Sequence, residues 1–322
     1  MSSGSLLETL QHRLSSAEIS APSVRGVLTR VTGMILSARG VRAPLGAYCE
    51  VMAEEGEGIV CEVVGFRDGE VMLMPLSAVQ GLLPGTAVRV LTLTARVGVG
   101  AGLLGRVVDG LGEPLDGGPA IVPDVFVPLR GERKNPLHRA AITAPLDVGV
   151  RAINTFLTVG RGQRIGLIAG SGVGKSMLLG MMTRFTEADV IVIGMIGERG
   201  REVLDFVHET LGEEGLKRSV VIAAPGDRSP VVRLRATHYS CAVAEYFRDQ
   251  GKNVLLLMDS LTRVAHAQRE VGLAVGEPPT TKGYTPSVFF LINELVERAG
   301  NVSAAGSITG IYTILAEGDD AN

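Results

Sequence analysis

The chain has 322 residues, a length that suits two domains, and its 46% hydrophobic and 20% charged residues are ordinary for a globular protein. The formal net charge of -3 gives no positive field to attract a nucleic-acid backbone, and the aromatic content of 4% leaves few side chains on which bases could stack. Nucleic acid is therefore not expected as a partner. Cys49, Cys61 and Cys241 form no Cys-x-x-Cys pair, so we expect reduced thiols in the cytoplasm and no structural metal site.

The first 22 residues are the first predicted element. Apolar residues recur there at helical spacing, which predicts an amphipathic segment at 1–22; they are Leu6, Leu7, Leu10 and Leu14. The alternative is a frayed terminus or a helix that packs on its own domain. No apolar run reaches the roughly 18 residues that span a bilayer, and the start lacks a signal peptide, so we expect neither secretion nor membrane insertion.

Residues 23–95 alternate short β-prone runs with turn signals, which predicts a small N-terminal β-barrel. The six runs are VRGVLTRV, GMILSARG, AYCEVMA, GIVCEVVGF, EVMLMPL and AVRVLTL.

A stretch rich in Gly and Pro follows at 98–124 and predicts tight turns between short strands. These turns lead into a second domain, which we place at 96–322. After Pro145, continuous apolar runs alternate with helical stretches, as in an α/β domain with a mainly parallel sheet. Ligands of such sheets bind at the carboxyl ends of the strands.

The run AGSGVGKS at 169–176 follows an apolar strand and opens a helix, the context that a phosphate-binding loop requires. Glycines let backbone N–H groups converge on phosphate oxygens, and the helix N-terminus adds partial positive charge. Lys175 would meet the β and γ phosphates of ATP, and Ser176 would ligate Mg²⁺. A Gly-rich turn without a ligand is the alternative. The predicted nucleotide-binding residues are Gly170, Ser171, Gly172, Val173, Gly174, Lys175, Ser176 and Met177.

Three further side chains follow strands of the same predicted sheet. Asp259 ends the run NVLLLMD and can support Mg²⁺ through water, although many such residues merely cap the next helix. Glu198 follows VIVIGMI and can polarise the water that attacks the γ phosphate; its alternative is a solvated helix start shared with Glu202. Arg263, one helical turn after Asp259, could reach the γ phosphate or lie on the surface. We expect His208, His238 and His266 to lie on helix faces without binding a ligand.

Longer segments carry a more specific resemblance. They are PLDVGVRAINTFLTVGRGQRIGLIAGSGVGKS, IGERGREV, YFRDQGKNVLLLMDSLTRVAHAQREVGLAVGEPP, TKGYTPSVF, LVERAGN and GSITGIYTILAEGDD, which together cover nearly all of 145–320. This part of the chain resembles the flagellar and type III secretion export ATPases, which are relatives of the catalytic β subunit of rotary ATP synthases. The resemblance implies a RecA-like P-loop NTPase domain behind a small N-terminal β-barrel, and Mg-dependent ATP hydrolysis that energises protein export. AGSGVGKS and the stretch 233–248 favour the flagellar apparatus over a virulence-type injectisome.

Residue roles follow from the same resemblance. Glu198 matches the catalytic glutamate, Arg199 and Arg263 match arginines close to phosphate, and Asp259 matches the residue that supports the metal. The implied assembly is a homo-hexamer that works with a regulator or stator, with chaperone–cargo complexes and with a membrane export gate. Its implied location is the cytoplasm, in peripheral association with the inner-membrane export apparatus, and residues 1–20 are the segment that would make membrane contact.

The sequence also departs from the family pattern. Asn293 stands where the family usually has proline, and the chain ends at GDDAN, before the segments that carry the trans-acting arginine finger, the aromatic residue beside adenine and the C-terminal helical domain. We therefore expect a fragment or truncated product. A Rho-like RNA translocase and a non-hydrolysing nucleotide-binding scaffold remain alternatives, and a carboxylate at Glu198 counts against the scaffold.

Overall fold

The structure is a computed structural model that describes residues 25–52, 57–132, 134–170, 172–303 and 305–316. The predicted amphipathic segment at 1–22 and Ser171 of the phosphate loop lie outside these ranges. Among the described residues, no helix combines the length and the apolar character needed to cross a membrane.

Six antiparallel strands close into an N-terminal barrel in the order β1-β2-β5-β4-β3-β6. Each of the six β-prone runs forms one strand: β1 Gly26–Thr32, β2 Ile35–Arg39, β3 Tyr48–Val51, β4 Ile59–Arg67, β5 Glu70–Pro75 and β6 Ala87–Thr92. Alternation sends every second side chain inward, so that Leu28, Val63 and Leu73 fill the interior. Cys49 and Cys61 face each other across β3 and β4 as buried free thiols. The predicted barrel is confirmed.

The stretch rich in Gly and Pro makes three short strands. β7 Arg96–Val99 pairs antiparallel with β9 Val125–Pro128, whereas β8 Arg106–Asp109 joins the edge of the main sheet, parallel to a later strand at 219–224. The turns and short strands were expected. That β8 belongs to the main sheet was not, because four residues are too few to specify a partner.

A parallel sheet in the order β10-β15-β13-β11-β12-β8 forms the second domain, with β14 added antiparallel to β15. Its remaining strands are β10 Arg164–Ala169, β11 Val190–Ile196, β12 Ser219–Ala224, β13 Asn253–Asp259, β14 Gly300–Asn301 and β15 Ser307–Leu315. β11 and β12 are buried along their whole length, which explains why they appear as continuous apolar runs. The predicted mainly parallel α/β fold is confirmed.

Seven helices cover the two faces of this sheet in the described part of the chain. They are α1 Arg151–Phe156, α2 Lys175–Phe185, α3 Gly200–Asp205, α4 Gly212–Lys217, α5 Pro230–Asp249, α6 Leu261–Val275 and α7 Pro286–Glu297. Between α3 and α4 the chain is π-helical at Phe206–Leu211, where the sequence predicted an uninterrupted helix. This wide turn brings Thr210 so close to Gly180 of α2 that a Cβ at position 180 would overlap it.

Two apolar cores lie on opposite faces of the sheet. One includes Leu179 of α2 and Ile193 of β11. The other includes Val243 of α5 and continues without interruption to Tyr48 and Met74 of the barrel. The barrel therefore packs on the side of the sheet that carries α5 and α6, and the carboxyl ends of the central strands are left open at one edge.

Candidate active site

A cavity of about 560 Å³ lies at the carboxyl ends of β10, β15, β13 and β11. This is the edge at which ligands bind in open parallel sheets. Its lining combines glycines, three cations and two acids, a composition suited to a polyanion with its counterions. The lining residues are Gly170, Gly172, Gly174, Lys175, Ser176, Met177, Glu198, Arg199, Glu202, Thr262, Arg263, His266, Leu315 and Ala316.

The loop between β10 and α2 is built to receive an anion. Gly172 and Gly174 have φ of +78° and +91°, a region that favours glycine, and a Cβ on either would meet no atom within 4 Å. The glycines are thus required by backbone conformation and leave open space above it. No described side chain caps α2, so its first N–H groups are available to a phosphate. Val173 and Met177 are exposed beside the loop.

Lys175 and Asp259 form a buried ion pair, with Nζ 2.6 Å from Oδ1 and side chains that are 11% and 7% exposed. Asp259 Oδ1 also accepts a hydrogen bond of 2.7 Å from Thr313 Oγ1. The helix-cap alternative for Asp259 does not hold, because Ser260 caps α6 through its side chain. The structure brings the two predicted residues together although 84 positions separate them in sequence.

Glu198 is a buried carboxyl group at the turn after β11, with 8% of its surface exposed. Its Oε1 has no hydrogen-bond partner among the residues that the structure describes. Burial raises the pKa of Glu198 from 4.5 to about 7, and a hydrogen bond with Glu202 and the charge of Asp259 act in the same direction. The hydrogen bond with Glu198 correspondingly lowers the pKa of Glu202. A solvated helix start would show none of this burial.

Both predicted arginines line the cavity, in different settings. The Arg263 side chain is partly buried, and its Nε lacks a hydrogen-bond partner within the described ranges. Gly197 makes room for it, because a Cβ there would lie 2.7 Å from Arg263 Cβ. Arg199 is 88% exposed at the rim, with its Nη1 4.0 Å from Glu202 Oε1. A surface position was the alternative for Arg263, but it is Arg199 that lies mostly exposed to solvent.

Several cavity residues were not singled out from the sequence. Thr262 Oγ1 accepts a hydrogen bond from Leu315 N at 2.9 Å and so ties α6 to the end of β15. His266, expected only on a helix face, lies on α6, lines the cavity and stacks on Tyr284 with ring centroids 6.1 Å apart. Thr313, whose hydroxyl contacts Asp259, was also missed, and the signal that could have found it is its polar side chain near the end of the mainly apolar run SITGIYTIL.

Ser176 and Asp259 offer hydroxyl and carboxylate oxygens, the donors that Mg²⁺ prefers. They are two side chains, and the described residues hold no group of three or more His, Cys, Asp or Glu able to bind a metal alone. Such a site suits Mg²⁺ that arrives with phosphates and keeps several waters. The loop, the acidic strand end and the sheet edge together define a P-loop nucleotide-binding α/β protein.

Comparison with protein families agrees with this class. The family described as "ATP synthase alpha/beta family, nucleotide-binding domain" matches residues 149–322, and the "beta-barrel domain" of the same family matches 28–91. The chain belongs to the ATP synthase alpha/beta family.

Individual relatives show which members of this family the chain closely resembles. The chain is 58% identical over 303 residues to the "Flagellum-specific ATP synthase" of Pseudomonas aeruginosa, covering 93% of this chain and 67% of that protein. Identity to the protein of the same name from Salmonella typhimurium is 55%, with 93% and 68% covered. The "Type 3 secretion system ATPase" of Xanthomonas euvesicatoria is 48% identical, with 98% and 71% covered. The chain thus spans about two thirds of the length of these relatives.

A solved structure agrees with the fold. The assembled ATPase EscN of the enteropathogenic E. coli type III secretion system superposes with a TM-score of 0.86 at 44% identity, covering 92% of this chain and 71% of EscN. The predicted resemblance and the prediction of an ATP-hydrolysing enzyme are confirmed. The flagellar interpretation is supported, and the injectisome alternative fits no better, because the flagellar relatives above are the more identical.

Proposed function

We propose that this ATPase hydrolyses Mg-ATP in the cavity at 170–316 and that the released free energy drives protein export through the flagellar type III apparatus. The observation that carries the catalytic part is Glu198, a buried carboxyl group with an unpartnered oxygen at the rim of a phosphate loop. A scaffold that only held nucleotide would not need a buried carboxyl group there.

The phosphates are the first part of the mechanism. The N-terminus of α2 and the Lys175 ammonium hold them, and Nζ leaves Asp259 Oδ1 to do so. Mg²⁺ bound with ATP would be held by Ser176 and, through water, by Asp259, where it offsets phosphate charge. Arg263 and, from the rim, Arg199 add positive charge near the γ phosphate.

Glu198 carries the proton transfer. Its carboxylate accepts a proton from water as the water oxygen bonds to the γ phosphorus and the bond from that phosphorus to the β-phosphate oxygen breaks. Burial makes this carboxylate a stronger base, because it raises the pKa of Glu198 to about 7. The negative charge of Glu202 disfavours the ionised form of the neighbouring Glu198 and so makes the protonated form of Glu198 easier to reach.

The test is Glu198→Gln, with Glu213→Gln at an exposed position of α4 as the matched control. The amide keeps the shape of the side chain but cannot accept the proton, so we expect turnover to fall by about 10² to 10⁴ while nucleotide affinity stays within about threefold. Phosphate release and calorimetry measure the two quantities. Retention of most of the turnover would remove Glu198 from the mechanism.

The export part has its own test. In the organism of origin, the Glu198→Gln allele should abolish flagellar protein secretion and swimming, while Glu213→Gln should leave both unchanged. Normal secretion by a Glu198→Gln strain whose purified enzyme is inactive would show that hydrolysis by this chain does not drive export.

The wider assembly is also part of the proposal. We infer a homo-oligomer, specifically a homo-hexamer, with a stalk or regulator, chaperone–cargo complexes and an export gate as partners. EscN supports this by analogy, since it has been solved assembled and in complex with its central stalk EscO. We place the protein in the cytoplasm at the inner-membrane export apparatus, with domains at 1–22, 23–95 and 96–322, and we propose that residues 1–20 contact the membrane.

A further inference from the structure

Thr313 is a fully buried residue of β15 that directs its hydroxyl at Asp259. Its Oγ1 lies 2.7 Å from Asp259 Oδ1 and 3.4 Å from the carbonyl oxygen of Met258. A hydroxyl group has one proton to donate, and the carboxylate is much the nearer acceptor. The parallel register that pairs Met258 with Tyr312 creates this contact, because it sets the next residues of β13 and β15 side by side.

Asp259 Oδ1 therefore receives two donors, the Lys175 ammonium at 2.6 Å and the Thr313 hydroxyl. If Lys175 moves to the phosphates, as the proposed function requires, the Thr313 bond is the one of these two that remains. An Asp carboxylate has a broad terminal torsion, so a single fixed donor decides how it is turned. Loss of a group that orients a carboxylate at a metal site typically costs about 10- to 100-fold in metal affinity or activity.

We propose that Thr313 is a positioning residue that holds the Asp259 carboxylate in the orientation in which it supports Mg²⁺. The inference rests on the proposed function of the site and adds a residue to it. A purely structural threonine would need only some buried acceptor for its hydroxyl. Thr313 instead donates to the one carboxylate on which the metal role depends.

The test compares Thr313→Val, which replaces the hydroxyl with a methyl group, with Thr313→Ser, which keeps it. Thr309→Val is the matched control, because Thr309 is buried on the same strand and its Oγ1 accepts a hydrogen bond of 2.9 Å from Gly162 N, away from Asp259. Binding of the non-hydrolysable analogue AMP-PNP is titrated with Mg²⁺, by calorimetry and by the shift in melting temperature, so the readout does not depend on turnover.

We expect Thr313→Val to need about tenfold more Mg²⁺ for half-maximal AMP-PNP binding, with binding in EDTA unchanged. Thr313→Ser and Thr309→Val should keep the wild-type Mg²⁺ requirement. If Thr313→Val does not fold, Thr313→Ala against Thr313→Ser gives the same comparison, since that pair differs only in the hydroxyl.

An unchanged Mg²⁺ requirement in Thr313→Val, or an equal change in Thr309→Val, would overturn the inference while leaving the proposed function intact. Failure of the wild-type chain to bind AMP-PNP in the presence of Mg²⁺ would instead reject the proposed function, and the inference with it. The two failures are therefore distinguishable in one experiment.

Discussion

Glu198 is the residue whose environment sets the pH dependence of the reaction. Its pKa of about 7 arises first from burial, then from Glu202 and Asp259, with Lys175 acting in the opposite direction. Only the ionised carboxylate accepts a proton, so kcat/KM for ATP should rise about tenfold per pH unit below 7 and level off above it. Glu202→Gln removes two causes of the raised pKa, and the rising limb should move to lower pH. A limb that stays in place in that variant would contradict this account.

The same shift has a consequence for stability. Because the pKa of Glu198 is raised from 4.5 to about 7 on folding, the folded chain binds more protons than the unfolded chain between these values. The contribution of Glu198 to stability is therefore fully present below about pH 4.5 and is lost as the pH rises through about 7.

The roles of site residues could be predicted from the sequence where those residues are contiguous in the chain. The loop at 169–176 is recognisable because its glycines, lysine and serine are contiguous. The ion pair between Lys175 and Asp259 was not predicted, because it depends on which strands are neighbours. Thr313 was missed for the same reason: its strand lies between β10 and β13 in the sheet but follows both in the chain.

At the scale of elements, a buried ion pair joins α5 to the residue that follows α7. Arg298 donates from Nε and Nη2 to the two carboxylate oxygens of Glu245 at 2.8 Å, and from Nη1 to the Leu129 carbonyl at 3.1 Å. The neighbouring His238 is kept neutral, because burial and then the Arg298 charge hold its pKa well below 6.5. The Arg298 side chain is 7% exposed and that of Glu245 is 14% exposed, so little solvent reaches either partner.

Arg298→Ala should lower the free energy of unfolding by about 3 kcal/mol, because it leaves the largely buried Glu245 carboxylate without its partner. Urea denaturation followed by circular dichroism measures the loss. Lys217→Ala is the control, since Lys217 pairs with Glu214 on α4 at the surface and both side chains are mostly exposed. An equal midpoint for the two variants would mean that the buried pair contributes no more than a surface pair.

Helices and strands whose apolar residues recur with a clear period could be predicted from the sequence, whereas elements determined by tertiary packing could not. The six barrel strands and the sheet strands β10 to β13 follow directly from runs of apolar residues. The π-helical turn at 206–211 does not, because REVLDFVHETL has ordinary helical spacing and the turn coincides with the close contact of Thr210 and Gly180. β8 was likewise set by the partner it finds in β12.

For the whole molecule, the barrel and the nucleotide-binding domain share one apolar core. Met74 of β5 points into that core, whereas its neighbour Leu73 points into the barrel interior. Further contacts cross the boundary: Ser229 Oγ donates to the Pro75 carbonyl at 2.9 Å, and Arg67 Nη2 donates to the Val275 carbonyl at 2.7 Å. We therefore expect the two domains to lose structure together.

Two substitutions compare the core that the two domains share with the core inside the barrel: Met74→Ala in the first and Leu73→Ala in the second. Each should cost about 2–5 kcal/mol, because each removes a fully buried side chain. Met74→Ala should speed amide hydrogen exchange in β11 and β13 as well as in the barrel, whereas Leu73→Ala should act mainly on barrel amides. If both variants affect barrel amides alone, the domains open independently.

The order of the strands also determines how a site of this kind can diverge. Lys175 follows β10, Thr313 lies on β15, Asp259 ends β13 and Glu198 follows β11, so four neighbouring strands each carry one part. No two parts share a local stretch of chain, and a substitution at one strand end leaves the backbone of the other three undisturbed. A duplicated gene could thus lose the carboxylate beyond β11 and keep nucleotide as a permanent structural ligand. Nucleotide binding and nucleotide hydrolysis therefore depend on residues of different strands, and evolution can change one without the other.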